Sequence, residues 1–162
     1  MTGHGLDAID IRILDAVQRH GRLSKAELAQ TVGLSPTPCW TRLARLKAAG
    51  LVRGYRAEIA LDRLADITQV VVTVSLAHHR KGDFDRFERH IRSVDAVTDC
   101  VATGGGTDYV LTVACRNLTA FQSVMDDLLA AELGIERWIT YIVSRHVKHT
   151  APDLASLVDA AK

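Results

Sequence analysis

Near the amino terminus apolar residues recur at spacings of three and four: Leu6, Ile9, Ile13, Leu14 and Val17. They define one face of an amphipathic helix, with the charges Asp7, Arg12, Asp15 and Arg19 largely elsewhere. Gly21 ends that helix. Ser24, with Glu27 three positions on, opens a second helix through reciprocal capping, each side chain satisfying the other residue's free N–H. Leu28 and Ala29 point inward, and Gly33 turns the chain. Ser35 is placed to cap a third helix, with Pro36 at the first helical position, where a missing N–H removes no hydrogen bond. Pro38 also falls within the first turn. The third helix is predicted to run to about residue 49, where Gly50 stops it. Its buried stripe is Cys39, Leu43 and Leu46; Thr37, Trp40, Thr41, Ala44, Arg45 and Lys47 fall on other faces.

Residues 52–61 read as a short extended segment. Beyond it the period changes. A β-rich run at 68–76 precedes a helix at 83–91 carrying Phe84, Phe87 and Ile91 on one side. Strands follow at 94–103 and 109–115, then a helix at 118–129 with Phe121, Val124, Met125, Leu128 and Leu129 at helical spacing. A last strand spans 136–147. The order βαββαβ predicts a ferredoxin-like two-layer sandwich, so the fold class is α+β. The chain divides into a helix-turn-helix unit at 1–60, a linker at 61–67, the sandwich at 68–150 and a tail at 151–162. In the tail Leu154, Leu157 and Val158 share a face that suits a short docking helix.

The 162 residues are 48% hydrophobic and 24% charged, an ordinary globular composition. No apolar run approaches the roughly 20 residues of a membrane span. The first residues show neither a basic start nor an apolar signal core, so a cytoplasmic protein without membrane contact is expected. Cys39, Cys100 and Cys115 are odd in number and widely spaced, which suits reduced, buried thiols better than a disulfide framework. The net charge of +1 hides an asymmetry: residues 1–60 hold nine Lys/Arg against five acids, and the remainder eleven against fourteen. A basic amino-terminal third on an acidic body points to a local polyanion-binding surface.

In a helix-turn-helix the third helix enters the major groove, with its N-terminal residues against base edges. Ser35, Pro36 and Thr37 lie at the positive end of that helix, where free N–H groups and hydroxyls suit phosphate. Ser24, at the start of the second helix, joins the expected contact set. Trp40, Thr41 and Arg45 follow one and two turns in, and the arginine fork is suited to reading guanine bidentately. Arg42 and Lys47 are expected at the DNA backbone, with Arg53 and Arg56 as flanking phosphate ligands. Periodicity alone also allows a simple three-helix bundle with a solvated arginine face. Trp40 alone fits either a half-buried core position or a DNA contact.

A glycine run, Gly104-Gly105-Gly106-Thr107-Asp108-Tyr109, separates the two middle strands of the sandwich. It lacks the GxGxxG spacing and the Lys-Ser/Thr of a phosphate-binding loop. A tight hairpin turn accounts for glycine and aspartate here. Two connecting residues would suffice for a hairpin, however, and three glycines bare backbone groups able to hold the carboxylate and ammonium of an amino acid. Signs of catalysis are lacking. His78, His79, His90, His146 and His149 show no i,i+4 pairing around a glutamate. Cys100 and Cys115 read as half-buried strand residues, Asp126, Asp127 and Glu132 as a solvated helix end. A non-enzymatic protein without metal or other cofactor is expected.

The segments Leu6-Asp7…Asp10…Ile13-Leu14, Gly21-Arg22-Leu23-Ser24…Glu27-Leu28-Ala29 and Val32-Gly33-Leu34-Ser35-Pro36-Thr37-Pro38-Cys39-Trp40…Arg42…Leu46…Gly50-Leu51-Val52…Gly54-Tyr55 carry a family pattern. Together they resemble the Lrp/AsnC (leucine-responsive, feast–famine) transcription regulators, and the similarity continues through the sandwich to about Lys148. The resemblance implies a winged-type helix-turn-helix and a RAM (regulator of amino-acid metabolism) sandwich. It also implies homodimers formed through the sheets and assembled further into tetramers or octamers. In the family a Gly-x-x-Asp-Tyr turn helps form an effector pocket between dimers; the matching residues are Gly105, Asp108 and Tyr109. Asp108 would pair with an α-ammonium and the glycine amides with a carboxylate. Gly106 and Thr107 stand where bulkier residues are commoner. The expectation is a sequence-specific regulator of amino-acid metabolism that binds double-stranded DNA and answers to an amino-acid effector. Competing classes are a nucleoid-like architectural protein with weak sequence preference and an enzyme-associated amino-acid sensor.

Overall fold

A computed structural model describes residues 5–158, which form two compact units, one of residues up to Ile59 together with the segment from Lys148, the other Ala60–Val147. The first unit has three helices, α1 (Ala8–His20), α2 (Lys25–Val32) and α3 (Pro36–Ala48). Their inward residues, among them Ile13, Val17, Leu28, Val32, Cys39, Leu43 and Leu46, make one core. Ile11 is buried as well, a position outside the stripe read from the sequence. Ser24 and Glu27 cap α2 reciprocally, as their spacing predicts. Gly33 adopts φ +70°, a left-handed conformation that disfavours any residue with a Cβ. That geometry lets the N–H of Leu34 reach back to Ala29 O at 2.9 Å and aims α3 across α2. Ser35 occupies the N-cap of α3, but its hydroxyl makes no capping bond.

Residues 52–60 form no regular element and join no hydrogen-bonded sheet. A short helix, α6 (Leu154–Leu157), packs on α1, and Gln18 Nε2 donates to Pro152 O at 2.7 Å. The tail is therefore part of the first unit. A cavity of about 750 Å³ lies between α1, residues 51–56 and α6, lined by Leu14, Val17, Tyr55 and Leu154. Of the face expected for Leu154, Leu157 and Val158, Leu154 and Val158 are half-buried and line that cavity, while Leu157 is exposed and Val158 already leaves the helix in extended conformation. Residues 159–162 of that expected segment lie outside the described residues.

The second unit holds β1 (Thr68–Leu76), α4 (Lys81–Ile91), β2 (Val97–Ala102), β3 (Tyr109–Cys115), α5 (Leu118–Ala130) and β4 (Ile135–Ile142). The strands form one antiparallel sheet in the order β2-β3-β1-β4. α4 and α5 cover a single face: Val70, Val72, Val74 and Leu76 of β1 and Tyr109, Leu111 and Val113 of β3 pack against Phe87, Ile91, Phe121, Met125 and Leu128. This is the two-layer α+β sandwich predicted from element order. β1 and β3 match their predicted limits, because central strands covered on one face alternate strictly. The edge strands are shorter than predicted. β2 begins at Val97, after a turn in which Val97 N bonds Val94 O, and β4 ends at Ile142. Leu129, placed on the buried side of α5 by its spacing, is exposed.

Candidate nucleic-acid interface and effector turn

α3 buries Cys39, Leu43 and Leu46 and so leaves Thr37, Trp40, Thr41, Ala44, Arg45 and Lys47 outward. Trp40 is 38% exposed, neither a core residue nor free. Lys25 Nζ lies 4.6 Å and Lys47 Nζ 5.6 Å from the centre of its ring, and Lys47 Nζ is also 4.9 Å from the Tyr55 ring. Cations over aromatic faces hold both partners in place. The result is a basic, aromatic ridge built from α2, α3 and the segment that follows. Ser35 and Thr37 flank the exposed start of α3; Pro36 and Pro38 carry no N–H and that of Cys39 bonds Ser35 O, so Thr37 supplies the one N–H left over in the first turn. Thr41 Oγ1 donates to Thr37 O at 3.1 Å, which fixes its rotamer. Ser24 Oγ accepts the Glu27 N–H at 3.2 Å. Arg53 and Arg56 are exposed beside Tyr55.

Arg42 is placed differently from the backbone contact expected of it. Its Nη1 donates to Asp7 Oδ2 at 2.6 Å and to Asp10 Oδ1 at 2.9 Å. Arg45 Nη2 donates to Asp10 Oδ2 at 2.5 Å, while 59% of its side chain remains exposed. Asp7 and Asp10 also form the capping box of α1. The backbone N–H of Asp10 and then the Arg42 guanidinium hold the Asp7 carboxyl below its ordinary value. Two acids three apart on α1 thus meet two arginines three apart on α3. Nothing in either helix taken alone signals the pairing, since the partners stand 32 to 35 positions apart.

The glycine turn joins β2 to β3. Gly105 has φ +138°, a conformation open to glycine, yet a Cβ on Gly104, Gly105 or Gly106 would meet nothing within 4 Å. The chain's own packing therefore does not require glycine at Gly104 or Gly106. The side chains of the neighbouring residues turn away from that open space. Asp108 Oδ2 accepts the N–H of Leu76 at 2.8 Å, and His79 Nε2 lies 3.1 Å from the carboxylate. The β1–β4 register slips between Ser75 and Leu76, and Asp108 fills the acceptor role there. Thr107 Oγ1 donates to Val74 O at 2.8 Å. The Tyr109 ring is buried 4.5 Å from that of Phe87, and its hydroxyl donates to Glu88 at 3.2 Å. Burial first, then the Glu88 charge, pushes the phenol up to about 12. What faces outward is backbone, with Arg137 Nη2 donating to Gly106 O at 3.3 Å.

Within the second unit the sheet face opposite the helices is uncovered by its described residues. A row Val101, Val110, Thr73 and Ile139 crosses all four strands, with Val71 and Tyr141 beside it. Val101, Ile139 and Tyr141 are each about half exposed. The cysteine thiols are poor nucleophiles: burial pushes Cys39, Cys100 and Cys115 up, and the Asp99 and Glu88 carboxylates add to it at Cys100. Among the described residues no cluster of His, Cys, Asp and Glu could hold a metal ion. No helix among them is long and apolar enough to cross a membrane.

Comparison with known proteins gives concordant matches. Residues 6–53 match a winged helix-turn-helix DNA-binding family, and residues 69–153 match the Lrp/AsnC ligand binding domain. The transcriptional regulatory protein DoeX of Halomonas elongata is 39% identical over 93% of this chain and 95% of its own. The leucine-responsive regulatory protein of Haemophilus influenzae is 34% identical over 90% of this chain and 87% of its own. Among solved structures, a transcriptional regulator of Neisseria meningitidis in complex with L-Met superposes with a TM-score of 0.85. It is 34% identical and covers 94% of this chain and 99% of its own.

Proposed function

Because the chain belongs to the Lrp/AsnC family of transcriptional regulators, we propose that α3 reads the major groove of double-stranded DNA while an amino acid at the glycine turn sets the assembly. The carrying observation is the outward ridge of α3: Thr37, Trp40, Thr41, Arg45 and Lys47 face solvent together, with their backs packed on Cys39, Leu43 and Leu46. Ser35 and Thr37 take a phosphate at the helix start, Arg45 and Thr41 meet base edges, and Lys47, Arg53 and Arg56 meet the backbone. Arg42 is left out of that set, since its Nη1 bridges the Asp7 and Asp10 carboxylates and its side chain is half as exposed as that of Arg45. Ser24 is engaged within the capping box, its hydroxyl meeting both the Glu27 N–H and the Glu27 carboxylate.

The regulator assembles with further copies of itself through the bare sheet face, where Val101, Val110, Ile139 and Tyr141 form an apolar patch. An interface of that kind gives two recognition helices a symmetric spacing on DNA. The effector is an amino acid or close relative: the Neisseria relative was solved with L-Met, and the Haemophilus relative is named leucine-responsive. It lies over Gly104–Gly106, where backbone groups stand in open space, with Arg137 available to its carboxylate. An ammonium at Asp108 has to share that carboxylate with His79. The ligand must favour one assembly over another, because equal affinity for both shifts nothing.

The test uses the full chain, its own promoter and a scrambled duplex of equal length at one salt concentration. A sequence-specific regulator separates the two by roughly 10³-fold or more. Equal affinities would instead mark an architectural protein held by phosphates alone. Calorimetric titration of the twenty amino acids then identifies the effector, and no heat with any of them would remove the amino-acid reading.

A further inference from the structure

Among the described residues Asp10 is the only fully buried charged side chain, at 1% exposure. A carboxylate taken out of water has to find donors for its oxygens. Here it has three: Arg42 Nη1 on Oδ1, with Arg45 Nη2 and the Asp7 N–H on Oδ2. α1 supplies only the last of these. The other two come from α3, so the carboxylate under the recognition helix is neutralised by that helix itself. Apolar residues of like volume would hold two helices together at least as well as a buried ion pair. What a buried carboxylate gives beyond adhesion is direction.

The two arginines are held unequally. Arg42 is 30% exposed and bonds both acids through one nitrogen, whereas Arg45 is 59% exposed and is held only at Nη2. Tethered there by one proton, Arg45 keeps its other Nη2 proton, Nε–H and both Nη1 protons for an outside acceptor, and the free Nη2 proton with a neighbouring one still makes a two-donor fork. An unrestrained arginine loses much of its rotamer freedom when it reads a base; one already held by a buried carboxylate has less to lose. The plane of the fork is also set before DNA arrives, as bidentate recognition of guanine O6 and N7 requires.

We propose that Asp10 is a positioning residue for sequence readout: from beneath α3 it holds the Arg45 guanidinium in the pose that meets a purine edge. Arg42 is the second, internal counter-ion that allows the carboxylate to be buried. This assignment rests on the DNA-reading role given to α3 above.

The experiment selects duplexes from a random library with the full wild-type chain. Affinities for the selected duplex and for a scrambled one are then measured at fixed salt. The proteins are wild type, Asp10→Asn, Arg45→Ala and the double variant, each checked by thermal melting. Asp10→Asn should lower the selected-to-scrambled ratio roughly 10-fold, within the range one bidentate base contact carries. Its affinity for scrambled DNA should hold or rise, because a negative charge is gone. A merely structural loss would lower both affinities together and leave the ratio unchanged. In the Arg45→Ala background, Asp10→Asn should have no further effect on the ratio. A retained ratio in Asp10→Asn, or an undiminished effect without Arg45, overturns the proposal. If Asp10→Asn does not fold, Asp10→Glu keeps the charge and moves the carboxylate by one methylene; a wild-type ratio there also overturns it. Should wild type enrich no sequence at all, the DNA-reading role fails and the positioning role with it.

Discussion

Replacing Asp108 tests what the glycine turn is built on. Its carboxylate accepts the backbone N–H of Leu76, a residue 1% exposed, at the point where the β1–β4 register slips. Asp108→Ala leaves that buried donor without a partner, at a cost of about 1–3 kcal/mol. The contact with His79 adds little, since the imidazole is 62% exposed and such pairs contribute about 0–1 kcal/mol. Asp108→Asn removes the charge but offers an amide oxygen in the same place, so its loss should stay below about 1 kcal/mol. For a domain of this size each kcal/mol moves the midpoint by about 4–8 °C. Thermal melting without ligand should therefore show Asp108→Ala lowered by roughly 10 °C and Asp108→Asn by about half of that or less. Equal melting of the two variants, or of Asp108→Ala and wild type, would refute the assignment of the carboxylate to Leu76. The same pair separates fold from sensing. If the effector's ammonium uses the charge, Asp108→Asn loses affinity while its fold is retained.

Ile139→Glu places a charge in the middle of the bare sheet face and should convert oligomers to smaller species in light scattering behind size exclusion; an unchanged mass would move the interface elsewhere. Tyr109, pushed up to about 12, keeps its proton in the folded state beyond the point where the unfolded chain loses it. Its contribution is complete below about pH 10 and falls as pH rises from there toward 12, so Tyr109→Phe should flatten the alkaline limb of stability against pH. Asp7, held low by the Asp10 N–H and Arg42, gives the opposite sign: its contribution is present above its ordinary value near 3.8 and disappears as pH falls through the lowered one. Asp7→Asn retains a capping oxygen but loses the ion pair, so melts below about pH 5 should show a shallower acid limb than wild type.

The central strands and the three amino-terminal helices were legible because each carries its own period or cap. β1 and β3 alternate buried and half-buried residues along their length, and Ser24 with Glu27 marks the start of α2 locally. β2 and β4 were overrun because edge strands bury little on either face and so leave no alternation to stop at. The ion cluster leaves no mark in the sequence for a different reason. Asp7, Asp10, Arg42 and Arg45 look like solvated charges at helical spacing, and only the crossing of α1 and α3 turns them inward. The same holds at the turn. The Asp-Tyr pair read as ligand-facing from motif alone, yet both side chains are committed to the strand and helix beneath.

Helix ends ordinarily fray first, within microseconds and independently of the rest of a fold. The opening turn of α1 does not have that freedom. Asp7 and Asp10 close its cap, and the same two carboxylates neutralise the arginines of α3. Unwinding the turn would therefore break three ion pairs to α3 at once, those of Arg42 with Asp7 and Asp10 and that of Arg45 with Asp10. The amide hydrogens of Asp10 and Ile11, bonded to the Asp7 carboxylate and carbonyl, are expected to exchange with solvent as slowly as those in the middle of α3. The first and third helices then open as one cooperative piece, and the surface offered to DNA stays rigid up to its margin.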